Sequence, residues 1–230
     1  MYNAAAIFKK QLKDTLKNKT VLIQFLMFPV LTLIMNRAVR IDGMPEHFFV
    51  NLFATMYIGM APLTSIAAII AEEKEKNTLR VLLMSNVKPY EYLLGIGSYI
   101  WAACMLGALV ICASSGYKAR EALIFMTIMA VGILASLLIG AAVGIFSKTQ
   151  MMATSITVPV MMIFSFLPML SMFNSTIAKI AKFVWSEQIS RLLEQINTRQ
   201  FGMTSIGIVL INMLVFTALF AAAYQKRGLE

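Results

Sequence analysis

Charged residues are scarce in this sequence: Asp, Glu, Lys and Arg make up 13% of its 230 residues, whereas soluble domains carry roughly a quarter. Hydrophobic residues make up 59%, more than a soluble core could bury. These proportions exclude an ordinary soluble domain and predict an integral membrane protein. We attribute the formal net charge of +9 to lysines and arginines that flank membrane spans. No basic face with interleaved aromatic residues lies outside the spans, so we do not expect nucleic-acid binding.

Residues and motifs that commonly carry chemistry are equally scarce. His47 is the single histidine, so a histidine-rich metal site cannot form, and we expect His47 at the outer membrane interface. Cys104 and Cys112 would lie about 12 Å apart on one helix, too far to bridge, and we expect two free thiols. HExxH, GxSxG and the phosphate-binding GxxxxGK[ST] are all absent from the sequence. We therefore expect no catalysis, no metal and no bound cofactor in this chain.

The interiors of the long apolar runs contain no Asp, Glu, Lys, Arg or His. Carriers driven by a proton gradient usually need an ionisable residue near the middle of the membrane, so this absence counts against them. The polar residues that remain there, such as Gln24, Thr55 and Asn212, are expected to form hydrogen bonds between helices.

Six apolar segments are predicted to cross the membrane within a domain of residues 20–230. The predicted spans are about 20–35, 48–71, 92–113, 122–146, 151–171 and 204–224. Six spans place both termini on one side, and more lysines and arginines lie on that side than on the other. This bias predicts that both termini are cytoplasmic in a multi-pass protein of the cell membrane.

Residues 1–19 are predicted to form an amphipathic helix at the membrane surface. Phe8, Leu12 and Leu16 recur every four residues, and Lys9 and Lys13 lie on other faces, a pattern typical of helices that contact anionic lipid. A solvated basic tail is the alternative. No small-residue cleavage site follows the first apolar run, so we do not expect a cleaved signal peptide.

Small residues recur at four-residue spacing along the fourth predicted span: Gly132, Ser136, Gly140 and Gly144. Such a stripe lets another helix approach closely. Packing within one subunit is slightly favoured over a contact between two subunits. Between the fifth and sixth spans, residues 172–203 have helical periodicity but are too polar to span. We predict two short helices there, broken near Ser186, with Trp185 at interfacial depth.

The densest polar segment, residues 71–95, begins Ala-Glu-Glu-Lys-Glu-Lys-Asn-Thr-Leu-Arg-Val-Leu-Leu. Within it, Thr78 is a candidate helix cap, and Leu79, Leu82 and Leu83 would form one apolar face of a short helix. Pro89 suits the first turn of the third span, with Glu91 near its positive helix terminus.

This segment resembles the cytoplasmic signature of type-2 ATP-binding-cassette (ABC) exporter permeases. An acidic and basic cluster closes the second span, a leucine-rich helix follows, and a proline turn leads into the third span. Asn77 stands where the family often has Gly, and Arg80 stands where an acid is common. The resemblance implies a coupling helix whose exposed leucine face docks in a cleft of an ATPase subunit. The implied coupling residues are Glu72, Glu73, Glu75, Thr78, Leu79, Arg80, Leu82 and Leu83.

The predicted fold is therefore an all-α membrane protein with six spans, an amphipathic N-terminal helix, a coupling helix between spans two and three, and short outer helices. The resemblance implies the permease subunit of an ABC exporter, with ATP and Mg on a partner ATPase and a second permease copy or paralogue. The uncharged spans favour an amphipathic or hydrophobic cargo, such as a peptide, a peptide toxin or a drug. A non-transporting sensor or scaffold, and a gradient-driven carrier, are the alternatives.

Overall fold

The computed structural model describes residues 2–17, 19–39, 43, 45–198 and 200–227. These residues form ten helices and no strand, which confirms the all-α fold class. Met1 and Asn18 of the predicted surface helix and the last three residues of the chain lie outside the described part. The helices are α1 (Tyr2–Lys17), α2 (Lys19–Ala38), α3 (Phe48–Glu75), α4 (Thr78–Met84), α5 (Pro89–Ser115), α6 (Ala119–Phe146), α7 (Gln150–Phe173), α8 (Ser175–Ala181), α9 (Trp185–Glu194) and α10 (Met203–Arg227).

Five of these helices, α3, α5, α6, α7 and α10, are long and apolar enough to cross a membrane. α1 and α2 meet the same test only as a pair, with axes that differ by 71°, and counting that pair as one span gives six. α3 extends four residues beyond the predicted second span, because its glutamates and lysines favour helix and find partners at its end.

α3 is the central helix of the bundle. In its most apolar stretch 72% of the residues are buried, against 11% in α10. α3 contacts α2, α5, α6, α7 and α9. Both cysteines, Cys104 and Cys112, are free and buried in the core around it, as expected from their spacing.

A proline inside α3 explains one contact between α3 and α6. Pro62 has no N–H, so the carbonyl of Ile58, four residues earlier, lacks its usual helical partner. The hydroxyl of Ser136 on α6 donates a hydrogen bond to that carbonyl. In a membrane-spanning helix, such a carbonyl needs a substitute donor from a neighbouring helix.

The bundle has two ends that differ in composition. At one end, α1 meets the connection of residues 76–88 and the turn of residues 147–149. We call this the charged end. At the opposite end, the turn after α5 packs against the start of α3, with the rings of Tyr117 and His47 4.4 Å apart. α8 and α9 also lie at the opposite end.

The two short helices predicted before the last span are α8 and α9, and the break predicted near Ser186 lies at residues 182–184. α8 ends at Ala181, and Ser186 lies in the first turn of α9, because the extended backbone of Val184 separates the two helices. Trp185 does not lie at an exposed interface: it is fully buried, and its ring centroid is 5.8 Å from that of Phe164. The apolar side of α9 instead covers the ends of α3, α6 and α7.

Candidate coupling site at the charged end

Three carboxylates leave the last turns of α3 in three directions. Successive helical residues are rotated by about 100°, so Glu73 lies on a different side of α3 from Glu72 and Glu75, which are neighbours three residues apart. The resemblance of residues 71–95 to the family signature implies that these carboxylates form an ion-pairing rim around α4 with Lys74, Lys76 and Arg80. The structure instead gives each carboxylate a different partner, and Glu72 is the one that pairs with Lys76.

Glu73 connects α3 to the amphipathic helix α1. Its side chain is buried, and Oε1 accepts hydrogen bonds from Lys10 Nζ at 2.6 Å and Gln11 Nε2 at 2.8 Å. A buried carboxylate needs such partners, since an unpaired charge would be strongly destabilising. Glu73 is thus an internal link between two helices and not part of an exposed rim.

Glu75 connects α3 to the start of α7. Its Oε2 accepts a hydrogen bond of 2.7 Å from the backbone N–H of Gln150, the first residue of α7. A negative charge is favourable at a helix N-terminus, where backbone N–H groups lack helical partners. Lys74 reaches the end of α6, where its Nζ donates to the carbonyl of Ile145 at 2.7 Å.

Glu72 forms the exposed pair of the cluster. It accepts a hydrogen bond from Lys76, one helical turn later. This hydrogen bond and the charge of Glu72 raise the pKa of Lys76. Exposed pairs of this kind contribute little to stability. Glu73 and Glu75 therefore make the contacts of this cluster that hold helices together.

α4 begins one residue earlier than a Thr78 cap predicts, because Asn77 occupies the cap position. Thr78 is the first helical residue, and its hydroxyl donates to the carbonyl of Glu73 at 3.1 Å. The preceding residue, Asn77, has a left-handed backbone with φ of 56°. Asn and Gly are the residues that adopt this conformation most easily, which explains why Asn77 can stand where the resembled family often has Gly.

The three leucines of α4 do not form an exposed face. Leu79 is buried with 1% of its surface exposed, and Leu82 and Leu83 are half-buried against the core. The leucine face packs inward because contact with the core beneath α4 removes its apolar surface from water. The exposed apolar residues of α4 are Val81, at 62%, and Met84, at 80%.

A groove of about 630 Å³ runs beside α4. Among the described residues that line it, three side chains are cationic, those of Lys74, Arg80 and Lys148, and none is a carboxylate. Lys148 comes from the turn between α6 and α7, so the groove joins that turn to α4. Its charge favours an acidic partner surface.

α1 lies against the bundle through a buried stripe that is part apolar and part polar. Ile7, Gln11 and Thr15 are spaced by four residues and are buried, and an added Cβ on Gly95 of α5 would lie 2.8 Å from Ile7 Cβ. Beside this stripe, the ring of Phe8 lies 5.6 Å from that of Tyr99.

The outer side of α1 carries the remaining predicted membrane-contact residues. Leu12 and Leu16 are exposed, and so are Lys9 and Lys13. An exposed leucine pair flanked by lysines is typical of a helix at a membrane surface. The lipid contact itself stays a prediction.

The small-residue stripe of α6 faces α3 within the subunit. A Cβ added to Gly132 or to Gly144 would lie 2.9 Å from Ile58 Cδ1 or Ile70 Cβ. Gly140 faces the backbone of α3 at Leu63, and Ser136 makes the hydrogen bond described above. The stripe thus packs two helices of one chain, as the sequence slightly favoured.

Several residues of this site lie outside residues 71–95, and the sequence of that segment does not predict them. Lys10, Gln11 and Gln150 are partners of Glu73 and Glu75 that lie far away in sequence. Gln11 carries one weak signal, since it is a polar residue on a stripe with the four-residue spacing of Ile7 and Thr15. Val81 and Met84 could have been found only by knowing which side of α4 faces the core.

Comparison with known proteins identifies the family. A family model described as ABC-2 family transporter protein matches residues 2–224. A search of curated proteins gave no match. The family match covers nearly the whole chain, including α1 and the charged end, and the bundle has several candidate membrane spans. The chain therefore belongs to the ABC-2 family of transporters. It is the multi-pass membrane permease subunit of an ABC transporter, which works with an ABC ATPase partner.

Proposed function

We propose that this permease exports an amphipathic or hydrophobic cargo, using ATP hydrolysed on a separate ATPase subunit that docks on α4. One observation carries the proposal: α4 presents Val81 and Met84 to the exterior while Leu79 fixes it to the core. Exposed apolar residues beside a cationic groove are typical of a surface that binds a partner.

The contacts at the charged end provide a route for force from α4 into the bundle. Leu79 and Thr78 join α4 to the core and to the end of α3. Glu73 joins α3 to α1, and Glu75 joins α3 to α7. A displacement of α4 is therefore transmitted to three helices at once. ATP and Mg would be held by the ATPase subunit, since this sequence has no phosphate-binding motif.

We further propose that the charged end is cytoplasmic, with both termini on that side. The bias of lysines and arginines supports this orientation, and an ATPase that uses cellular ATP must lie there. A second copy or a paralogue completes the translocation pathway. The exposed sides of α7 and α10 offer the apolar surface for it.

The cargo proposal rests on the composition of the spans. Charged side chains lie only in the end turns of the candidate spans, and the chain has 18 methionines and 15 phenylalanines. Methionine side chains adapt to irregular apolar shapes. We expect inside-out vesicles to accumulate a fluorescent hydrophobic peptide when ATP is present. This accumulation should be absent when the ATPase lacks its phosphate-binding lysine. Uptake that continues without ATP would contradict it.

Co-purification tests the docking surface on α4. We expect Val81→Asp and Met84→Asp each to abolish association with the co-expressed ATPase, because a carboxylate then enters an apolar contact. Met151→Asp is the matched control, since Met151 is also 80% exposed and also lies at the charged end. If the Val81→Asp, Met84→Asp double variant still retains the ATPase as well as Met151→Asp does, the docking assignment is wrong.

A further inference from the structure

A groove of about 390 Å³ lies between α6 and α10. On α6 it runs from Leu123 to Val131, on α10 it runs from Ile206 to Leu210, and α9 contributes Leu192. Leu123 and Leu210 leave 70% and 55% of their surfaces exposed. Because α6 and α10 are both candidate membrane spans, the groove opens toward lipid and not toward water.

The described lining of the groove offers a ligand no free polar side chain. Thr127 is the polar residue among these lining residues, and its hydroxyl donates to the carbonyl of Leu123, one turn earlier, at 2.8 Å. The floor is apolar and buried, with Ile128 9% and Val209 3% exposed. A polar ligand would leave its own hydrogen-bonding groups unpaired here. The lining therefore selects a hydrocarbon occupant.

The dimensions of the groove distinguish a lipid chain from a helix of a second copy. Leu123 and Val131 are eight residues apart, about 12 Å along α6, which is close to the roughly 15 Å of hydrocarbon in one leaflet. Spread over that length, the volume gives a mean cross-section of roughly 30 Å². An α-helix about 10 Å across has a cross-section of roughly 80 Å². One acyl chain fits the groove, and a helix does not.

Arg120 gives one end of the groove a positive charge. It precedes Leu123 by three residues and Thr127 by seven, so it lies on the same face of α6, in the first turn of that helix. Arg120 is exposed. The neighbouring acid, Glu121, caps its own helix by accepting from the backbone N–H of Lys118 at 3.0 Å. A guanidinium at the end of a groove the width of one chain suits the phosphate of a lipid.

We propose that this groove holds one acyl chain of an anionic phospholipid whose phosphate is bound by Arg120. The chain lies between α6 and α10, and the arginine side chain extends to the head group at the membrane surface. A head group of net negative charge binds more tightly than a zwitterionic one, because it carries no ammonium to oppose the guanidinium. The lipid is a resident of the bundle and not cargo, so the site depends neither on α4 nor on transport.

Native mass spectrometry of the full-length permease in a mild detergent tests this proposal. The probes are dioleoylphosphatidylglycerol and dioleoylphosphatidylcholine, each added at increasing concentration. We expect saturable binding of one phosphatidylglycerol per chain, about fivefold tighter than that of phosphatidylcholine, as for one charge-assisted contact at an exposed position. Equal affinity for the two lipids, or displacement of phosphatidylglycerol by glycerol phosphate at the same concentration, would overturn the proposal.

Filling the groove tests where the chain lies. Thr127→Trp places an indole in the middle of the groove and should abolish the binding of one phosphatidylglycerol per chain. Thr217→Trp is the matched control, because Thr217 is also exposed and its hydroxyl also donates one turn back, to the carbonyl of Met213 at 2.8 Å. If both variants bind the lipid equally, the groove is not the site. Loss of an oligomer in Thr127→Trp with unchanged lipid binding would assign the groove to a second copy instead.

Arg120→Gln tests the contact with the head group. Its affinity for phosphatidylglycerol should fall about fivefold, to that for phosphatidylcholine. Arg37→Gln is the control, since Arg37 is also exposed and lies at the same end of the bundle, where the Asn36 amide donates to the carbonyl of Ser114 at 2.6 Å. Size-exclusion profiles and melting temperatures verify that every variant is folded. Equal affinities of the two arginine variants for phosphatidylglycerol would refute the role of Arg120.

Discussion

Replacing Gly140 by alanine tests whether α6 packs on α3 as tightly as the structure shows. A Cβ at this position would lie 2.5 Å from Ile66 Cγ2 and 2.9 Å from Leu63 Cα, with the Leu63 carbonyl oxygen also in its way. Ordinary carbon contacts are about 3.5–4.0 Å. Because the obstructing atoms belong to the backbone as well as to a side chain, the two helices must separate by roughly 1 Å.

The expected loss of stability combines three contributions. Overpacking of a close helix contact costs about 1–3 kcal/mol. Separation also stretches the hydrogen bond from Ser136 to the Ile58 carbonyl, and an unsatisfied buried carbonyl costs about 1–3 kcal/mol. Alanine regains about 1 kcal/mol through its higher helix propensity. At the middle of these ranges the net effect is a loss of about 3 kcal/mol, which lowers the melting temperature of a chain of this size by roughly 6–12 °C.

The assay is the fraction of monodisperse protein that survives stepwise heating, measured by size-exclusion chromatography in detergent. Gly207→Ala and Gly97→Ala are matched controls, because a Cβ at either position meets nothing within 4 Å. Gly132→Ala should lie in between, since its closest obstruction is the flexible end of Ile58. If Gly140→Ala melts within about 2 °C of Gly207→Ala, the close packing of α6 on α3 is refuted.

Three further predictions concern individual side chains. Glu73→Gln should loosen α1 from the bundle, because it removes the charge that holds Lys10; faster proteolysis within α1 measures this, and Glu72→Gln should show no change because its pair is exposed. Leu79→Ala should lower the free energy of unfolding by about 2–4 kcal/mol, as for other buried leucines, whereas Val81→Ala should change it by less than about 0.5 kcal/mol. Burial and the nearby charge of Glu187 raise the pKa of Glu194 above 4.5, so the native state binds the proton more readily than the unfolded state. Ionised Glu194 is then destabilising at higher pH, and Glu194→Gln should become more stable relative to the unchanged protein as the pH rises above 4.5. Melting temperatures of both proteins across this range measure the effect, and a constant difference would contradict it.

Local patterns were sufficient to predict the helices. Pro89 and Glu91 mark the start of α5, where the backbone N–H of Lys88 donates to Glu91 Oε2 at 3.3 Å. The hydrophobic runs gave the candidate spans, and four-residue spacing gave the amphipathic helix and the stripe of α6. These features depend on residues within a few helical turns of one another, so local sequence patterns were enough to predict them.

The roles of the charged residues were harder to predict. Glu73 and Glu75 are near neighbours of Lys74 and Lys76, and a local pairing was the natural expectation. Their partners, Lys10 and Gln150, are more than sixty residues away. No local pattern contains that information, because contact between distant segments depends on how whole helices pack.

The sequence by itself determined that this is a helical membrane protein, and its polar segment of residues 71–95 was enough to indicate the permease family. Composition and periodicity decide these properties, because they set which residues must avoid water. Only the tertiary structure decided which side of α4 is free. The core beneath it buries Leu79 and turns Val81 and Met84 outward, since a short helix orients by the apolar contacts that neighbouring helices offer. The docking surface proposed for the ATPase is therefore a property of packing and not of the leucine pattern.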